Sequence, residues 1–209
     1  MRPHVWNFTP LDDNLTYFLS NATGATWTLT TTVVTDGMAH LLIITNDSAT
    51  DHSAKTCAIT GLDADGNAQT ETLALPNSST TSTSTKYWST ITSVVPSATI
   101  GGDTMDLGIT DDVVSPTFIP DFKQAPFNVA LGADIAGTIN FDVQHTFDSA
   151  LASDTLAYAS RTWFDHSVIA AKTADTDGNY AAPVRGIRLL INSLTAGATL
   201  KLTIIQGGV

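Results

Sequence analysis

Residues 55–75, KTCAITGLDADGNAQTETLAL, constrain the fold more than any other part of the chain. Two alternating runs flank the acidic segment 63–67, Asp-Ala-Asp-Gly-Asn. Gly66 can adopt a positive φ without a Cβ clash, and Asp and Asn side chains close turns through their own hydrogen bonds. A short loop of this kind joins two antiparallel strands. The segment therefore predicts a β-hairpin that contributes four side chains to a core: Cys57, Ile59, Leu73 and Leu75.

The same acidic pattern, D-x-D-G-N, returns at residues 175–179. By the same reasoning we predict a second hairpin turn there. The pattern also resembles a calcium loop, but an EF-hand places Gly at position 6 and Glu at position 12. Here the Gly directly follows the second Asp, and no Glu follows at that spacing. A structural turn is the favoured interpretation of both segments, and calcium binding stays an open alternative.

Further segments have the length and alternation of β-strands. Residues 139–147, INFDVQHTF, alternate most strictly, and residues 26–34 predict a strand with Trp27, Leu29 and Val33 on its buried face. The other predicted strands are residues 38–45, 87–95, 105–109, 184–193 and 198–206. Short strands separated by turn signals, without the spacing of βαβ units, indicate antiparallel sandwiches.

We therefore predict an all-β fold with two β-sandwich or jelly-roll-like domains in tandem. Residues 111–126 contain three prolines and little periodicity, which indicates a domain boundary. The predicted division is an extended N-terminal segment at residues 1–25, a β-sandwich domain at 26–118 and a second one at 119–209.

Composition disfavours several classes of protein. Charged residues make up only 14% of the chain, and Glu71 is its single glutamate, so a helical fold is disfavoured. The formal net charge of −11 disfavours binding to nucleic-acid phosphates and to anionic membranes. The N-terminus lacks the apolar core of a signal peptide, and no run approaches the ~18 apolar residues of a membrane span. We expect the protein to be made and folded in a cytoplasm.

Residues able to carry chemistry are few. None of the five histidines is spaced from another as metal ligands are. Asp165 and His166 form an adjacent acid–imidazole pair, but no nucleophile elbow accompanies it. His145, on an apolar strand face, is predicted to be a core histidine, and Cys57 a small buried side chain. We expect no catalytic, cofactor-binding or metal-binding residue.

Aromatic residues concentrate in the N-terminal segment and in the 111–126 connector. Aromatic side chains dominate the energetics of protein interfaces, so both segments are candidates for contact surfaces. For the N-terminal segment, packing on its own domain is the favoured interpretation, and an arm that reaches a neighbouring subunit is the alternative. The predicted interface residues are Trp6, Phe8, Tyr17, Phe18, Phe118 and Phe122.

Residues 36–101 resemble a recurrent domain of tailed-bacteriophage virion proteins. The likeness is carried by the hairpin TGLDADGNAQTET, the polar loop NSSTTSTST and the aromatic strand YWSTITSV. The second half is similar to another phage module, with GTINFDVQHTFD followed by TWFDH, a D-x-D-G-N segment, PVRGIRL and a final LKLTIIQ. Together these motifs cover most of residues 36–209, whereas residues 1–25 resemble neither module.

The resemblance implies a non-enzymatic virion structural protein. We expect a capsid decoration, or cement, protein that binds the major capsid protein on the outside of the phage head and stabilises the shell. A homo-oligomer is expected, and the resemblance favours a trimer. Its location is the virion, which assembles in the host cytoplasm. The alternatives are a tail, neck or baseplate accessory protein, a carbohydrate-binding module for host attachment and, least favoured, a hydrolase.

Overall fold

The computed structural model describes residues 3–123, 125–151 and 156–207. These residues form fourteen β-strands and one short 3-10 turn at Tyr158–Ser160, which confirms the all-β prediction. The strands are β1 (His4–Phe8), β2 (Asn14–Ala22), β3 (Ala39–Asn46), β4 (Thr56–Leu62), β5 (Ala68–Ala74), β6 (Thr81–Trp88), β7 (Thr90–Pro96), β8 (Met105–Val114), β9 (Val129–Ala136), β10 (Ile139–Thr146), β11 (Phe164–Asp165), β12 (Thr176–Tyr180), β13 (Gly186–Leu194) and β14 (Thr199–Gln206).

The chain forms two compact units. Residues 13–111 make the middle unit, and residues 1–12 together with 112–209 make the terminal unit. The sequence predicted domain boundaries after residues 25 and 118. The structural boundaries differ because β1 pairs along its whole length with β14, whereas β2 pairs with β8 inside the middle unit. The second boundary lies within β8.

The middle unit contains two antiparallel sheets. One has the order β2–β8–β3–β6, with the part of β8 up to residue 111, and the other has the order β5–β4–β7. Every second side chain along β3 is buried from His40 onward, and the side chains between them are half-buried. Both sheets contribute fully buried side chains to the core: Leu42, Ile44, Ile59, Trp88, Ile91 and Leu107.

The hairpin predicted at residues 55–75 is confirmed. Strands β4 and β5 pair in register from Thr56–Ala74 to Leu62–Ala68. In the turn, Asp63 Oδ1 accepts hydrogen bonds from the backbone N–H of Asp65 and of Asn67, both at 2.9 Å, and Gly66 has a φ of 80°. The four predicted core side chains are buried. The turn residues and the alternation of the flanking strands therefore predict the same structure, a β-hairpin.

The strand predicted at residues 26–34 is wrong. The segment is irregular apart from an isolated bridge between Val33 and Thr90. Its backbone hydrogen bonds go to separate places: the Thr30 N–H donates to Phe18 O, and the Val34 N–H donates to Ser89 O. Trp27 is buried as predicted, but Val33 is 48% exposed. Without continuous pairing to a neighbouring strand, alternate side chains do not all point to the same face.

The terminal unit also contains two antiparallel sheets. One has the order β1–β14–β9–β12, and the other has β11–β10–β13 followed by the last residues of β8. Strand β1 is an edge strand, and only Phe8 among its five residues is buried. Fully buried side chains from both sheets form the core: Phe141, Val143, Ile187, Leu189, Ile191 and Leu202.

The second predicted hairpin turn, at residues 175–179, is wrong. Thr176–Tyr180 form β12, which pairs with β9 from Thr176–Ala133 to Tyr180–Val129. Gly178 lies in extended backbone within this strand, and a Cβ there would lie 2.6 Å from His166 Cε1. The glycine at this position is therefore explained by a close tertiary contact, whereas Gly66 is explained by a turn.

Candidate interaction surface

Four aromatic rings form a row at the edge of the terminal unit. His4, Trp6 and Phe8 alternate along β1 and point to one face of the sheet. The His4 ring lies 5.1 Å from the Trp6 ring and 4.9 Å from the Phe118 ring, and Trp6 lies 5.9 Å from Phe8. Trp6 remains partly exposed because β1 is an edge strand, whereas Phe8 is buried. Phe118, in the connector, is also partly exposed. We call these four residues the aromatic row.

The connector contributes to this row through its own backbone. Phe118 and Ile187 exchange two backbone hydrogen bonds of 2.8 Å, which attach the connector to β13. Farther along, Phe122 is half-buried, and the Arg185 guanidinium lies 5.3 Å from the centre of its ring. The terminal unit thus contains four of the six predicted interface residues, and it brings Trp6, Phe8 and Phe118 together in the row.

The other two predicted interface residues, Tyr17 and Phe18, belong to β2 of the middle unit. Phe18 has no exposed area, so its ring is already covered within its own unit. The Tyr17 hydroxyl donates to Val33 O at 3.2 Å and accepts from the Thr35 N–H at 3.3 Å. Tyr17 is half-buried, and its hydrogen bonds anchor the irregular segment that precedes β3. Interface roles for Trp6, Phe8, Tyr17, Phe118 and Phe122 stay predictions.

A shallow groove of about 440 Å³ lies on the sheet β1–β14–β9–β12. Gly132 on β9 contributes no side chain, and a Cβ added there would meet no atom within 4 Å, so the groove floor is open. Lys201 and Asp134 face each other across β14 and β9, and the Asp175 carboxylate accepts a 2.9 Å hydrogen bond from the Ile135 N–H. The lining residues are Gly132, Ala133, Asp134, Asp175, Thr176, Asp177, Lys201 and Thr203. In the described ranges, no group of three His, Cys, Asp or Glu side chains has an arrangement that could hold a metal ion.

Two histidines of the middle unit are held by carboxylates. His40 Nε2 lies 2.8 Å from Asp36 Oδ2, and both side chains are fully or almost fully buried. His52 Nε2 lies 2.9 Å from Asp103 Oδ2, and the Lys55 ammonium donates to His52 Nδ1 at 3.0 Å. Hydrogen bonds, chiefly from Thr50 and His52, hold the pKa of Asp103 below its usual value. Both imidazoles therefore form hydrogen bonds with residues of the middle unit.

A third imidazole cluster occupies the terminal unit. Its members are His145 on β10, His166 after β11 and Tyr180 on β12, which we call the histidine cluster. The Tyr180 ring lies 5.1 Å from His145 and 4.8 Å from His166. The sequence indicated His145 and His166 separately, but nothing in it showed that a tyrosine on an unpredicted strand would join them. His145 is half-buried and hydrogen-bonded, close to its predicted role as a core histidine.

The single cysteine has no exposed area. Burial raises the pKa of the Cys57 thiol to about 12, with a smaller opposing effect from a backbone hydrogen bond of Val95. The thiolate needed for nucleophilic chemistry is therefore scarce at neutral pH. The prediction of a small buried side chain is confirmed.

No protein-family model matches this sequence, and no curated protein matches it. The likeness to phage virion modules therefore depends on the sequence motifs alone. Within the described part of the chain, no helix is long and apolar enough to cross a membrane.

Proposed function

We propose that this chain is a structural protein of a tailed-bacteriophage virion that decorates the outside of the capsid. The observation that carries the proposal is the aromatic row at the edge of an all-β unit, with Trp6 and Phe118 partly exposed. Partly exposed aromatic residues are enriched in protein interfaces, where they supply most of the binding energy. The order of the phage-like motifs along residues 36–209 supports the choice of a virion.

The proposed mechanism is selective binding to the assembled shell. A protein that binds neighbouring capsid subunits together, but not the separate subunits, stabilises the shell by mass action. Many copies per particle allow each single contact to be modest. The net charge of −11 keeps the free protein soluble before it binds. The proposed partner is the major capsid protein, and the proposed assembly is a homo-oligomer, with a trimer favoured by the family resemblance.

The proposal predicts that particles made from the genome encoding this chain contain it at high copy number. Quantitative mass spectrometry of purified virions measures its ratio to the major capsid protein. Hundreds of copies per particle are expected for a decoration protein, and ~6–12 copies would indicate a tail or neck ring under particle symmetry. Absence of the protein from purified particles would contradict the proposal.

A point variant tests the proposed surface. We expect Trp6→Ala to weaken binding to assembled heads at least about thirtyfold, because truncating a central aromatic contact removes about 2 kcal/mol or more. Co-sedimentation with heads that lack the protein measures the affinity. Asn7→Ala is the matched control, since Asn7 is exposed on the same strand and points to the opposite face. Circular dichroism establishes that both variants are folded, and equal affinities would show that the aromatic row is not the contact surface.

A carbohydrate-binding module for host attachment is the second candidate. It is favoured by the partly exposed Trp6 indole beside the His4 ring, because an aromatic face of this kind can stack on a sugar. Trp27 and Trp88 are buried and cannot serve this way. A glycan array separates the two functions: specific glycan binding that Trp6→Ala abolishes would favour attachment over capsid decoration.

A further inference from the structure

The segment 164–172 covers one edge of β10 in the terminal unit. Strand β11 pairs with Gln144 and His145, and the His166 N–H donates to Val143 O at 2.8 Å. The Val143 N–H donates to Ile169 O at 3.0 Å, and Lys172 exchanges two backbone hydrogen bonds with Phe141. Without this segment, the backbone groups on that edge of β10 would lose their partners.

The hydrogen bonds of His166 define its protonation state. Nδ1 lies 3.1 Å from the backbone N–H groups of both Val168 and Ile169, and an N–H group can only donate. Nδ1 must therefore be an unprotonated acceptor. Nε2 lies 3.2 Å from Asn179 O, which can only accept, so Nε2 carries the hydrogen. The imidazole is neutral, 3% exposed, and its ring contacts join segment 164–172 to β12.

Protonation of His166 is incompatible with these contacts. A hydrogen on Nδ1 would oppose two N–H donors, so both hydrogen bonds would be lost and a charge would be buried. The ring also fills the space beside Gly178, where a Cβ would lie 2.6 Å from Cε1. A charged imidazole can regain solvation only by leaving this position, and the backbone that it holds must move with it.

Titratable and charged side chains on the adjoining strands determine the electrostatic surroundings of His166. On β10, burial lowers the pKa of His145, and the Asp165 carboxylate opposes that effect. On β12, burial and the nearby Asp165 carboxylate raise the pKa of Tyr180, so its hydroxyl stays protonated. Asp165, on β11, accepts a 2.8 Å hydrogen bond from Gln144 Nε2, and Gln144 in turn accepts one from Arg188 Nε on β13.

We propose that the histidine cluster is an acid-sensitive switch, in which protonation of His166 releases segment 164–172 from the edge of β10. The direction follows from linkage. The folded arrangement accepts only an unprotonated Nδ1, because two backbone N–H groups already donate to it. Acid therefore favours the released segment, in which the imidazole can take up a proton.

Hydrogen exchange of the intact chain tests the switch. Between about pH 7.5 and about pH 5 we expect the protection of the Val143 and Lys172 amides, corrected for intrinsic rates, to fall about tenfold or more. Amides that join β10 to β13 on its other edge are the internal reference and should keep their protection. Equal losses at both edges, or no loss at either, would overturn the proposal.

His166→Asn is the diagnostic variant, because a carboxamide oxygen can still accept from the two backbone N–H groups but cannot be protonated. We expect its protection at the β11 edge of β10 to be independent of pH. His145→Phe is the comparison and should retain the pH response of the natural chain. If His145→Phe abolishes the response and His166→Asn leaves it intact, His166 is not the trigger.

A measurement on the natural chain covers the case in which His166→Asn fails to fold. Nitrogen-15 NMR of the imidazole rings follows protonation of His166 directly, and amide signals follow segment 164–172. The two transitions should share one midpoint. Release of the segment at a pH where His166 is still neutral would contradict the switch.

Discussion

Gly108→Ala is expected to destabilise the middle unit by about 3 kcal/mol or more. Gly108 lies in β8, where β2 crosses it. A Cβ at this position would overlap the Asn14 carbonyl oxygen and the Leu15 backbone. Relief requires a strand to move, because the overlapping atoms are backbone rather than the end of a flexible side chain. Urea unfolding, followed by circular dichroism, measures the loss of unfolding free energy.

Two glycines serve as controls for Gly108. Gly102 lies in the same unit and Gly132 in β9, and an added Cβ would meet nothing within 4 Å at either position. We expect Gly102→Ala and Gly132→Ala to change stability by no more than about 0.5 kcal/mol. If Gly108→Ala were as stable as these controls, β2 would not lie against β8 as the structure shows.

The two D-x-D-G-N segments show how far local sequence determines local structure. At 63–67 the pattern forms a turn because β4 ends directly before it, β5 begins directly after it, and the two strands pair with each other. At 175–179 the same pattern lies in strand β12 from Thr176 onward, because β9 lies alongside and His166 occupies the space beside Gly178. That contact joins residues on different segments of the chain, and no local pattern encodes it.

Burial of the aromatic residues was the least predictable part of the candidate surface. The sequence showed that Trp6, Phe18 and Phe118 lie in segments without strong periodicity, so their residue type alone suggested interface roles. Phe18 proved fully buried because β2 pairs with β8, whereas Trp6 stays partly exposed because β1 is an edge strand. Whether a ring is exposed depends on which strands become neighbours, and that requires the tertiary fold.

Asp36→Ala is expected to destabilise the middle unit by about 3 kcal/mol, because two buried groups lose their hydrogen-bond partner at about 1–3 kcal/mol each. His40 Nδ1 lies 2.7 Å from Thr110 O, a carbonyl that can only accept, so this nitrogen carries a hydrogen. Nε2 faces the Asp36 carboxylate at 2.8 Å, and the two side chains are 0% and 1% exposed. Asp36 Oδ1 also accepts a 2.9 Å hydrogen bond from the Met38 N–H. Alanine leaves His40 Nε2 and the Met38 N–H buried without a hydrogen-bond partner.

Two further variants identify the physical origin of that loss. Asp36→Asn should recover most of the stability, because its carboxamide can form a hydrogen bond with His40 Nε2 and still accept from the Met38 N–H. Asp103→Ala removes the carboxylate from the second histidine pair, and the loss should be much smaller because Asp103 is 31% exposed and water replaces it. Urea unfolding at about pH 7 compares the three. Equal losses for Asp36→Ala and Asp103→Ala would show that the loss of unfolding free energy does not depend on burial of the pair. A large loss for Asp36→Asn would show that His40 requires a negative charge as well as a hydrogen-bond partner.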